Sequence, residues 1–165
     1  MSFTATRAPA RTDDLRRWTM EAGLLRPESR MITKPVVAVF NTSEDTIDML
    51  RELFEHAGFA VVSAFTNALR DGTTDLDSLM QRHAPDVIVY DVALPYEQNW
   101  RLCQEIRSSP ACQGVPFVLT TTNVAHVEKV AQGESLIEIV GKPYDLDLLL
   151  TAVERALGPR RRRQV

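Results

Sequence analysis

The sequence predicts an α/β domain: a five-stranded parallel sheet wound on both faces by five helices, with an extra helical segment at the N-terminus. Three observations predict it. Short, largely apolar runs recur five times from Pro35 onward, and the first, "VVAVF", is β-branched and flanked by breakers, as expected of a strand buried on both faces. Apolar stripes at helical spacing lie between them. Glycine, proline or small polar residues punctuate the junctions, so strands and helices alternate and right-handed crossovers follow.

Residues 1–34 stand apart as an N-terminal extension. "MSFTATRAPART" has no periodicity, whereas Thr12 is placed to cap a short helix with Asp13 and Asp14 in its first turn. Leu15, Trp18, Ala22 and Leu25 give that helix an apolar stripe, bounded by Gly23 and Pro27. Such a short helix is marginal alone and is expected to dock on the main domain or on a second copy.

The main domain is expected over residues 35–158. "VVAVF" is the first strand. Ile47, Leu50, Leu53, Phe54 and Ala57 mark the first helix, which stops at Gly58. "FAVVSAF" is the second strand, and "TNALRDGTTD" reads as a loop. Leu76, Leu79 and Met80 suggest the second helix, ended by the Ala-Pro of "RHAPD". "DVIVYDV" is the third strand, and Trp100, Cys103 and Ile106 carry the third helix. "PFVLTTT" is the fourth strand, with Val124, Val127, Val130 and Ala131 in the fourth helix. "LIEIVGKPY" is the fifth strand and its exit turn. Leu146, Leu149, Leu150, Val153 and Leu157 form the clearest stripe in the chain, ending at "GP".

The totals exclude several classes. The chain has 165 residues, a formal charge of −3 and an ordinary 44% hydrophobic content, so nothing in them suggests a polyanion binder. Residues 159–165 form an arginine-rich tail in which Arg160, Arg161, Arg162 and Arg163 are consecutive; it reads as a solvated tail or as an anion or RNA contact. Cys103 and Cys112 have no zinc-type spacing, and His56, His83 and His126 are scattered. No apolar run approaches the roughly 20 residues that span a bilayer, and the N-terminus lacks a signal-peptide core, so a cytoplasmic home is expected.

In a parallel α/β sheet, chemistry gathers beyond the carboxyl ends of the strands. Those positions hold Asn41 and Thr42, Asp91, Thr120 and Thr121, and Lys142. The set Asp91, Thr120 and Lys142-Pro143, one after each of the last three strands, resembles the receiver domain of two-component response regulators. "PDVIVYDVALPYEQNWRLCQEIR" is similar to the family's third strand, phosphoacceptor Asp, Leu-Pro pair and third helix, with Asp91, Leu94 and Pro95 on those positions. "VPFVLTT" carries Thr120 at the switch-hydroxyl position, and "GKPYDLDLLLTAVERAL" carries Lys142, Pro143 and the aromatic Tyr144. The resemblance runs from about Pro35 to Leu157 and implies a flavodoxin-like fold and a non-enzymatic signalling role. It implies partners in trans, a histidine kinase or another regulator, with a homodimer as a further option; membrane and nucleic-acid partners are not expected. No DNA-binding domain is recognised up to Val165, which suggests a stand-alone receiver.

The physical logic of the set is independent of the name. A carboxylate that accepts a phosphoryl group needs a cation against the new charge and a hydroxyl for a phosphoryl oxygen. Lys142 and Thr120 supply these. The resemblance also implies two adjacent acids after the first strand, which with Asp91 would hold Mg²⁺. Asn41 and Thr42 stand there instead, so Mg²⁺ binding is expected to be weak or absent and no cofactor is expected. Glu44 and Asp45 are better explained as first-turn acids of a helix capped by Thr42 or Ser43. The aromatic of the fifth strand is replaced by Ile139, Thr121 takes a place usually held by alanine, and "YEQNW" replaces a Gly-rich turn, which suggests a stiffer rim. The resulting expectation is an atypical receiver acting by protein contact, with Asp91 paired to Lys142 without metal. The alternative is a phosphoaccepting switch on Asp91; nucleic-acid contact through the arginines ranks last.

Overall fold

In the computed structural model the described residues are 33–132 and 137–162, of which 137 and 159–162 are described by backbone alone. The expected Leu15/Trp18 helix and the side chains of the arginine run lie outside them. Strands β1 (Val36–Asn41), β2 (Ala60–Phe65), β3 (Val87–Asp91), β4 (Phe117–Thr121) and β5 (Ile137–Gly141) form one sheet in the order β2-β1-β3-β4-β5. Every pairing is parallel. The order reverses between β1 and β3, which makes the carboxyl ends of those strands the switch point. This is the parallel α/β architecture that the alternation of runs implied, in the flavodoxin-like order that the resemblance implied.

Side-chain alternation along each strand divides the interior into two layers. On one face Val37, Val39, Val87, Val89 and Val118 pack with Ile47, Leu50 and Phe54 of α1 (Glu44–His56) and with Leu149, Ala152 and Val153 of α6 (Leu146–Arg162). On the other, Ala38, Phe40, Ile88, Tyr90 and Leu119 meet residues of α3 (Leu76–His83), α4 (Tyr96–Ser108) and α5 (Val124–Val130). Asn41, Asp91 and Thr120 continue the first series, so all three lie on the α1/α6 side of the sheet at its carboxyl edge.

The start of α1 bears out the reading of its acids. Ser43 is the N-cap, with Oγ accepting from Thr46 N at 3.3 Å, and Glu44 and Asp45 occupy the exposed first turn. At its other end Gly58 adopts φ 92°, a conformation glycine takes without a Cβ penalty, and Phe59 turns back edge-on to Phe54.

Two elements differ from expectation. Among the described residues six α-helices are present, because Thr66–Arg70, read as loop, forms the short α2. Leu69 packs on the α3/α4 layer and Asp71 N bonds back to Asn67 O at 2.8 Å, so tertiary burial holds a turn too short to show periodicity. The helix expected from Trp100 begins four residues earlier at Tyr96, so "YEQNW" is its first turn. The stripe of α6 breaks at Gly158 (φ 67°), where "GP" placed its end, although helical backbone resumes to Arg162. Among the described residues no helix is long and apolar enough to cross a membrane.

Candidate functional site

Sheet register brings the strand-end residues together. Asp91 is the partner of Thr120 across β3 and β4, and Thr121 is the partner of Gly141 across β4 and β5. Lys142 N then donates to Thr121 O at 2.7 Å, which extends the pairing one residue past β5. A Cβ on Gly141 would stand 3.0 Å from Val124 Cγ2, so a side chain there would press on Val124 at the start of α5. This register aims the Lys142 side chain back along the sheet edge. Its Nζ lies 2.8 Å from Asp91 Oδ1, and Thr120 Oγ1 donates to the same oxygen at 3.1 Å.

Asp91 is 3% exposed and Lys142 is 21% exposed, so the carboxylate is buried while the ammonium keeps some access to solvent. Burial by itself pushes the Lys142 ammonium down. The Asp91 carboxylate, as hydrogen-bond acceptor and as charge, and the Tyr144 hydroxyl outweigh it, and the net direction is up. Lys142 is therefore a fixed cation at neutral pH. Tyr144 closes the other side: its hydroxyl is 3.5 Å from Thr120 Oγ1 and its ring centroid 5.4 Å from Lys142 Nζ.

The rim is tied down by residues whose role the sequence reading missed. Asn99, fully within the core layer of α4, donates from Nδ2 to Ala93 O at 2.9 Å and Pro95 O at 3.4 Å. Its backbone carbonyl accepts from the Tyr90 hydroxyl at 3.1 Å, a hydroxyl whose ionisation burial pushes far up. Asn99 thus straps the loop that leaves Asp91. A signal existed, since Asn99 shares the α4 stripe with Leu102, Cys103 and Ile106. Between the start of α4 and the segment after β4, Tyr96 Oη and Thr122 Oγ1 are 2.8 Å apart, and His126 Nε2 lies 3.8 Å from Glu97 Oε1. Thr121 turns away from Asp91: its hydroxyl donates to Val92 O at 3.0 Å and accepts from Asn123 N at 3.1 Å. Ile139 packs half-buried against the α5 layer.

At the β1 end, Asn41 is 2% exposed and its Oδ1 accepts from Ser43 N at 3.0 Å, while Thr42 faces solvent. A magnesium ion is hard and takes oxygen donors, usually carboxylates supplemented by water and phosphate. The residues here do not fit it. One carboxylate is present, its Oδ1 is engaged by Lys142 and Thr120, and the neighbouring amide oxygen is committed to a backbone turn. Among the described residues no group of three or more His, Cys, Asp or Glu side chains is placed to hold a metal.

Known proteins give the same architecture and place the chain in a family. The model of the response regulator receiver domain matches residues 37–154. Protein Rrf1 of Nitratidesulfovibrio vulgaris is 32% identical over 122 residues, covering 74% of this chain and 82% of that protein. Among solved structures, the chemotaxis protein CheY4 of Vibrio cholerae superposes with a TM-score of 0.62 at 18% identity, covering 75% of this chain and 99% of its own. A response regulator from Chloroflexus aurantiacus gives 0.57 at 24% identity, with 75% and 98% covered. A parallel sheet of this order, with Asp91, Thr120 and Lys142 converging at its carboxyl edge, belongs to a response regulator receiver domain, and this chain is a member of that family.

Proposed function

We propose that this receiver is an atypical one: a signalling module that acts through protein contact, in the cytoplasm, without Mg²⁺-dependent phosphorylation of Asp91. A single observation carries the reading. Lys142 Nζ already occupies Asp91 Oδ1 at 2.8 Å, beside an amide where the metal-holding acid would stand. With the acids absent, Asp91 feels no carboxylate repulsion to be offset by a cation, and the ion pair holds one conformation. The partners are other signalling proteins that read its surface.

A second reading has an observation of its own. Asp91, Thr120 and Lys142 meet at distances suited to an acyl phosphate, with a cation and a hydroxyl converging on one carboxylate oxygen. Under it the Asp91 carboxylate attacks the phosphorus of a kinase phosphohistidine, the P–N bond breaks, and the imidazole nitrogen leaves with the electron pair. Incubation with acetyl phosphate and Mg²⁺ followed by intact mass separates the two. The expected spectrum shows the unmodified chain alone. A phosphoryl adduct that disappears in Asp91→Ala establishes the second reading instead.

A further inference from the structure

The residue after Pro143 touches two of the three side chains in the cluster. Tyr144 sets its hydroxyl 3.5 Å from Thr120 Oγ1 and its ring 5.4 Å from Lys142 Nζ. The hydrogen bond is long, so the contact with the ammonium carries as much of the geometry as the hydroxyl does. Asp145 follows directly and caps α6: its Oδ1 accepts from Asp147 N and Leu148 N, both at 3.1 Å. The turn so capped displays Leu146 and Leu148, 40% and 61% exposed, on the molecular surface. A chain of contacts and bonds therefore runs from Asp91 through Lys142 and Tyr144 to the turn that carries these two exposed leucines. Ile139, aliphatic and packed towards α5, has no polar group with which to take part.

We propose that Tyr144 is a positioning residue that couples the Asp91–Lys142–Thr120 cluster to the first turn of α6, so that release of Lys142 from Asp91 loosens the Asp145 cap and alters how Leu146 and Leu148 are presented. The inference rests on the cluster acting as a lock and adds the route by which its state reaches the surface. The cause is local. When the ammonium leaves Asp91 Oδ1 it also changes its place over the Tyr144 ring, and the ring is one residue from the capping carboxylate. Coupling through packed neighbours of this kind is measured by non-additivity.

Amide hydrogen exchange read by NMR at Asp147 and Leu148 tests it. Asp91→Asn is expected to speed exchange at both amides by about fivefold. In a Tyr144→Leu background the same Asp91 substitution is expected to leave those rates within about twofold of Tyr144→Leu alone. Should Tyr144→Leu unfold the domain, Tyr144→Phe serves as the background and should at least halve the response. Lys142→Met breaks the pair from the other side and should act like Asp91→Asn. Unchanged exchange in the Tyr144 parent, or an equal response in both backgrounds, overturns the coupling. Neither result bears on phosphorylation, which the acetyl phosphate experiment decides separately.

Discussion

Lys142→Met is expected to destabilise the domain by about 3 kcal/mol, whereas Asp91→Asn should cost well under half of that. The asymmetry follows from burial. Asp91 is 3% exposed, and removal of Lys142 leaves its carboxylate in a dry site with only the Thr120 hydroxyl and no cation. Lys142 is 21% exposed and can turn its ammonium to water when Asp91 is neutral. Urea midpoints of the two variants at neutral pH measure the difference. The pH dependence has a definite sign. The Lys142 value is raised on folding, so the pair's contribution is fully present below the ordinary lysine value of 10.5 and is lost as pH climbs through the raised one. The gap between wild type and Lys142→Met should therefore hold through neutral pH and close in strong alkali.

Restoring acids at the end of β1 should create the metal site that the present residues do not form. Asn41 stands on β1 opposite Asp91, because Phe40 pairs with Tyr90 and both side chains one residue on share a face. Adjacent strands lie about 5 Å apart, so an acid at position 41 would face Asp91 across that gap. Two effects follow for Asn41→Asp combined with Thr42→Asp. Mg²⁺ affinity should rise by about two orders of magnitude, since ligand charge sets the affinity of oxygen sites. Without metal, the carboxylate facing Asp91 should cost about 2 kcal/mol through repulsion that Lys142 offsets in part. Thermal melts should show a lower midpoint for the double variant in chelator and its recovery in Mg²⁺, with wild type indifferent to both.

Much of this was legible in the sequence because the signals were long or obligatory. β1, β3 and β4 are apolar runs rich in β-branched and aromatic residues between breakers, as expected of strands covered on both faces. Once the sheet was parallel, its carboxyl edge had to collect Asp91, Thr120 and Lys142, and counting along α1 assigned Glu44 and Asp45 to a helix start. The five residues of α2 are too few to show a period, and only the burial of Leu69 reveals why they coil. The first turn of α4 is polar at Glu97 and Gln98, so its apolar stripe starts late and the helix begins before it. Contacts that depend on tertiary approach, such as Tyr96 to Thr122 or Tyr144 to Thr120, leave no trace in local spacing. Asn99 is the instructive case: a polar residue on an apolar helical stripe marks a buried partner, here the carbonyls of the loop leaving Asp91.

Under the proposed function Asp91 is held by Lys142 and not by a metal. Titration of ¹⁵N-labelled wild-type protein with Mg²⁺, followed at the Asp91 and Lys142 amides, addresses it most directly. No saturable shift is expected at either amide through the millimolar range in which weak oxygen-ligand sites fill. A saturable shift at both amides, abolished by Asp91→Asn, would contradict it.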